Sequence, residues 1–119
     1  MQVVKLNNLA FFDERRVDRL NNLVAVNKYL MPHLVATGTG CNLSEAMALL
    51  LFLHGSKVGA GYLTIYHVRH QDTYFDKIPI QDGFPRDNVF CQMCEENIPN
   101  TELLYDFEVI LKQDIEFSL

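Results

Sequence analysis

The spacing of apolar and polar positions changes three times along the chain. From Phe11 onward, Val17, Leu20, Leu23, Val24, Val26 and Leu30 fall near helical intervals, while Asp13, Glu14, Arg15, Arg16, Asp18 and Arg19 form a charged first turn and face. This spacing predicts a helix, with Asn21-Asn22 as a point of division into two. Pro32, inside Tyr29-Leu-Met-Pro-His-Leu-Val-Ala36, can open a second helix at its first turn or kink the first, so a boundary is expected near Tyr29. Thr37-Gly-Thr-Gly-Cys41 then reads as a turn.

The stretch from Asn42 to His54 organises the rest, because Ala46 to Leu53 is apolar without a break. Asn42 suits the cap of its first turn, with Glu45 reaching back, and Gly55 is the expected left-handed stop. No polar stripe lies between Glu45 and His54, so neighbours are expected to cover this helix on most sides.

After Gly55 the period shortens. Tyr62 to Val68 is rich in β-branched and aromatic residues and predicts a strand, with Val3 to Leu9 a short extended lead-in. Tyr74 to Ile80 predicts another strand, ended by Pro79 and Gln81-Asp-Gly83, and Asn88 to Phe90 runs into Cys91-Gln-Met-Cys94. In Leu103 to Leu111 the alternation is clean: Leu103, Tyr105, Phe107, Val109 and Leu111 share one face, Asp106 and Glu108 the other. Helix, turn, buried helix, glycine-bearing corner and strand is the layout of a winged helix-turn-helix. The fold class expected is α+β, one domain over residues 1–119, with a helical winged-helix part at 1–57 and a β-rich part at 58–119.

Length and composition narrow the classes without naming one. A chain of 119 residues with 49% hydrophobic content fits a single core. The longest apolar run, Ala46 to Leu53, is far short of a membrane span, and Met1-Gln-Val-Val-Lys-Leu has no export-signal pattern, so a cytoplasmic location and no membrane partner are expected. Three cysteines, Cys41, Cys91 and Cys94, suit reduced thiols or a metal site better than disulfides.

Charge matters through its distribution. Residues 1–71 hold seven basic and four acidic side chains, and residues 72–119 hold three basic and eleven acidic ones. The acidic half repels phosphate. Tyr29 to Ser56 contains no Lys or Arg, and Arg15, Arg16 and Arg19 have Asp13, Glu14 and Asp18 beside them as partners. A DNA reader needs cations around its recognition helix, so nucleic acid is not the expected partner.

Cys91-x-x-Cys94 has knuckle spacing for zinc, and His67-x-x-His70 precedes it by about the length of a ribbon hairpin, so the two pairs together offer a tetrahedral set. Strand alternation argues the other way, since it tends to point His67 and His70 to opposite sides. The knuckle also lacks the glycine that usually follows its second ligand. The expectation is a degenerate ribbon with free thiols and no cofactor, with zinc on His67, His70, Cys91 and Cys94 as the alternative.

The succession Leu49-Leu-Leu-Phe-Leu-His-Gly-Ser, Tyr62-Leu-Thr-Ile-Tyr-His-Val-Arg-His70, Phe90-Cys-Gln-Met-Cys94 and Leu104-Tyr-Asp-Phe-Glu-Val resembles bacterial modules that join a winged helix to a small zinc ribbon, in some proteins beside nucleotide cyclase or other effector domains. In those modules the strand runs into a first Cys-x-x-Cys. Here that place holds His70-Gln-Asp-Thr73, with histidine and threonine for the two cysteines.

Catalytic constellations are incomplete. Ser44 and Ser56 flank a helix without a glycine elbow, Thr37-Gly-Thr-Gly40 is too short for a phosphate loop, His33 and His54 stand alone at helix ends, and Glu95-Glu96 belongs on an exposed turn. The function expected is therefore non-catalytic: an adaptor or regulatory protein that binds another protein or itself. Phe11, Phe12, Phe84, Phe90 and Phe117 are candidates for an exposed patch, and Leu103 to Leu111 for an edge strand that pairs with a second copy. A DNA-binding transcriptional regulator using the wing is the rival.

Overall fold

A computed structural model describes residues 1–70, 76–85 and 88–119. Its elements, in order, are β1 (Gln2–Lys5), α1 (Glu14–Val26), β2 (Tyr29–Leu30), α2 (Pro32–Thr39), α3 (Leu43–Gly55), β3 (Gly59–His67), β4 (Asp76–Pro79), a 3-10 turn (Ile80–Asp82), β5 (Val89–Cys91), β6 (Glu96–Ile98), a second 3-10 turn (Asn100–Glu102), β7 (Leu103–Leu111) and β8 (Ile115–Ser118). The fold is mixed α+β, as its alternating helical and two-residue periods require. Two compact units divide it. The first holds Met1–Gly61 and Glu108–Leu119, the second Tyr62–Phe107. The expected division at 57/58 put residues 108–119 with the β-rich part; the chain instead returns them to the helical unit, through pairing of β7 with β2 and of β8 with β1.

In the first unit α1 is one helix, not two. Asp13 caps it by accepting from the Arg16 N–H at 2.9 Å, and Val17 and Leu20 are buried. Asn21 does not break the helix because its amide is spent elsewhere: it donates to the Phe117 carbonyl at 2.9 Å and accepts from the Phe117 N–H at 2.7 Å, fixing α1 to β8. Arg16 also departs from expectation. Its guanidinium donates to the carbonyls of Phe11 at 2.7 Å and Gly40 at 3.3 Å and lies 3.7 Å from the Glu45 carboxylate, so it ties α1 to the ends of α2 and α3.

Pro32 opens α2 at its first turn, and Gly40, in the left-handed region, closes it. Helix α3 follows at an angle of 115° to α2. Its capping box is present: the Glu45 N–H donates to Asn42 Oδ1 at 2.8 Å, and the Asn42 N–H donates to Glu45 Oε1 at 2.9 Å. Two expectations about α3 are corrected. Gly55 lies inside the last turn, and the left-handed residue is Lys57 (φ 62), so the chain reverses two residues later than the glycine suggested. The cover is also one-sided: Ala46, Leu49, Leu50 and Leu53 are buried, whereas Leu43 and Leu51 are 58% and 48% exposed. An unbroken apolar run carries no amphipathic bias, so it could not mark this open face.

Strands β2, β7, β3 and β4 form one sheet in that order. Strand β7 has the expected bounds, but its alternation is broken at Glu108, which is buried between Phe107 and Val109; in the sheet it lies between β2 and β3, and β2 covers it only at Val109 and Ile110. Gly59 at the start of β3 is needed for close approach, because a Cβ there would overlap the Val109 side chain and press on the Ile110 carbonyl. Strands β1 and β8 pair in parallel, Val4 opposite Phe117. The five phenylalanines do not form one patch: Phe12 and Phe117 are buried, Phe84 and Phe90 exposed. Among the described residues no single helix is long and apolar enough to cross a membrane.

Candidate metal centre

The second unit builds its site from two tight turns. Strand β3 ends at His67 and the chain reverses at once: the His70 N–H donates to the His67 carbonyl at 2.9 Å, and the two residues face each other across an antiparallel bridge. The rings lie 5.6 Å apart, centroid to centroid, at 55°. Alternation does not separate them, because it governs a strand that continues and this one does not.

The other turn joins β5 to β6, whose register sets Phe90 opposite Asn97 and Cys91 opposite Glu96. Cys91 is buried at the end of β5, and the Glu95 N–H closes the turn onto the Cys91 carbonyl at 2.8 Å. The missing glycine is explained by Glu95, which occupies the left-handed position itself (φ 57). Such a conformation costs a non-glycine residue about 1 kcal/mol or more, against about 0.5–1 kcal/mol for the greater freedom glycine loses on folding. Glu95→Gly is therefore expected to leave stability unchanged or raise it by up to about 1 kcal/mol, read from denaturant unfolding; a clear loss would show that the Glu95 side chain contributes a bond of its own.

These turns bring together all four residues singled out by spacing. The donor atoms of His67, His70, Cys91 and Cys94 lie within 4.8 Å of one another. Cys94 Sγ is 3.0 Å from His70 Nε2 and 3.3 Å from His67 Nδ1. Around a tetrahedral zinc, with bonds of about 2.0–2.1 Å to nitrogen and 2.3 Å to sulfur, such a pair stands about 3.5 Å apart. These two pairs would open by a few tenths of an ångström to seat the ion, while the set as a whole, spread over 4.8 Å, would draw in, since no two donors around it stand more than about 3.8 Å apart. Two imidazoles and two thiolates are also the borderline-soft set that suits zinc, so this cluster can hold it.

The thiols are already differentiated. Burial pushes the Cys91 thiol up, but the backbone N–H groups of Cys94 and Met93 and the side chains of His67 and Cys94 outweigh it, so Cys91 lies below the ordinary thiol range. Burial raises Cys94, and its hydrogen bond and charge contact with Cys91 raise it further. Zinc would take both as thiolates and displace their protons.

Around the donors is a second layer that spacing could not reveal. His67 is fully buried, and its Nε2 lies 3.3 Å from Glu102 Oε1. Arg69, largely exposed, is 3.9 Å from both the Glu102 and the Glu96 carboxylates. Glu102 is thirty-five positions from His67, and nothing in its local sequence marks it as a partner. Elsewhere, Cys41 is buried and takes a hydrogen bond from Thr39 Oγ1 at 3.1 Å, and His54 Nδ1 accepts from the Gly61 N–H at 3.0 Å. Both are structural. Thr73, where the resemblance placed a ligand, lies outside the described residues. No family model, no curated protein and no solved structure matches the chain.

Proposed function

We propose that the chain is a non-catalytic adaptor or regulatory module whose second unit is a zinc ribbon closed by His67, His70, Cys91 and Cys94. The observation that carries this reading is the donor set: four ligand atoms converge from two turns, which fills a tetrahedral ion and leaves no position for a reacting water. In this reading zinc would supply structure, and the chain's own residues would supply the contacts.

The partner favoured is another protein. The 115° between α2 and α3 falls in the range of helix-turn-helix pairs and supports a winged-helix reading of the first unit. Yet the helix that would read bases exposes Leu43, Ser44 and Leu51 and carries no Lys or Arg of its own, and Arg16, the arginine that reaches it, is tied to Phe11, Gly40 and Glu45. A helix without cations of its own gains little of the counterion release that dominates DNA affinity.

Two measurements test the reading. Protein purified without chelator is expected to carry one zinc per chain, lost in Cys91→Ser; metal-free protein of native fold would remove the ribbon. Random duplex DNA at low salt is expected to give no mobility shift. Binding that weakens steeply with added salt would favour the DNA-binding regulator instead.

A further inference from the structure

The geometry points to Glu102 as the positioning residue of the metal centre, a carboxylate that holds His67 in the tautomer and orientation needed to ligate through Nδ1. This inference rests on the zinc reading above and goes beyond it by assigning a role to a residue outside the donor set.

His67 has two ring nitrogens with different neighbours. Nδ1 faces Cys94 Sγ at 3.3 Å, and Nε2 faces Glu102 Oε1 at 3.3 Å. With zinc bound through Nδ1, the ring proton would sit on Nε2, where the Glu102 carboxylate is placed to accept it. The ring is fully buried, so water does not compete for that proton. This is the carboxylate–histidine–metal arrangement, in which the outer partner orients the ligand and raises its basicity.

Glu102 is itself held on three sides. It ends the 3-10 turn Asn100–Glu102, where its N–H donates to the Pro99 carbonyl at 3.0 Å. Its own carbonyl accepts from the Val68 N–H at 3.0 Å, so the backbone of Glu102 clamps the His67-x-x-His70 turn while its side chain clamps the first ligand. Arg69, from within that turn, stands 3.9 Å from the carboxylate. Among the described residues, the hydrogen bonds of His70 run to the His67 carbonyl and to Cys94.

The test compares Glu102→Leu and Glu102→Gln with the unaltered chain in zinc competition against a chromophoric chelator. Glu102→Leu keeps the bulk and removes the acceptor, and is expected to weaken zinc binding about 10–100-fold. Glu102→Gln keeps an acceptor oxygen and is expected to recover most of that loss. Nitrogen-resolved NMR of the zinc-loaded unaltered chain should show a slowly exchanging Nε2 proton on His67, lost in Glu102→Leu; a merely structural role would not move it. Zinc affinity and tautomer unchanged in a folded Glu102→Leu would overturn the assignment and leave the ribbon standing. Failure of the unaltered chain to bind zinc would overturn both. Should Glu102→Leu not fold, Glu102→Gln and the NMR signal of the unaltered chain decide: an Nδ1 proton on His67 in the zinc form is incompatible with the role.

Discussion

Replacing Cys91 with serine, or stripping the protein with a strong chelator, is expected to release residues 62–107 into rapid amide exchange while α1, α2 and α3 stay protected. The second unit has little else to hold it. Among the described residues its buried apolar side chains are Leu63, Ile65, Cys91, Ile98, Leu103 and Phe107, with Ile78, Val89, Cys94 and Tyr105 packed part-exposed against the cluster of Ile65, Cys91, Ile98 and Leu103. A core of that size supplies no more than about 3–5 kcal/mol, whereas structural zinc in small ribbons and fingers contributes an apparent 10–16 kcal/mol or so at neutral pH. Cys91 is the more damaging of the two thiols to change. It is fully buried, and the N–H groups of Met93 and Cys94 that are aimed at its sulfur would lose their anionic acceptor. The first unit has its own core, including Leu20, Val35, Leu49, Leu50 and Leu53, none of which belongs to the ribbon. Hydrogen exchange read peptide by peptide separates the outcomes: unchanged protection across 62–107 after chelation would mean that the ribbon stands without metal and that the free-thiol expectation was the right one.

Much of this architecture was legible because its signals are local. Asn42 and Glu45 announce the start of α3 by chemistry confined to one turn, Pro32 announces α2 through its fixed φ and missing N–H, and β7 shows its bounds and its apolar face by alternation, though not the burial of Glu108. What escaped depends on partners far along the chain. The parallel pairing of β1 with β8 leaves no trace in either short segment. The ligand pair followed the same rule: Cys91 and Cys94 declare themselves by spacing, but whether His67 and His70 face one point depends on where β3 stops. It stops at His67 itself, so alternation argued wrongly, and the pair sits three residues earlier than the His70 and Thr73 that the resemblance suggested. Arg16 taught the same lesson from the other side. Neighbouring acids were its obvious partners, yet tertiary structure assigned it two backbone carbonyls and Glu45.

Adjacent leucines on α3 should differ sharply, and that contrast tests the one-sided burial of the central helix. Leu50 is fully buried, so Leu50→Ala removes its packing and leaves a cavity, at an expected cost of about 2–5 kcal/mol and a fall in Tm of roughly 8 °C or more. Leu51, one position on, is 48% exposed, and Leu51→Ala is expected to change stability by no more than about 0.5 kcal/mol. Both substitutions have the same helix propensity, so propensity cancels between them and only burial remains. Thermal unfolding followed by circular dichroism reads the difference directly. Equal losses at low protein concentration would show that α3 is enclosed on both sides within one chain, against the structure. A cost at Leu51 that appears only as concentration rises would place the open face of α3 at a contact between two copies, because association stabilises the folded state by mass action in a way that a contact within one chain cannot.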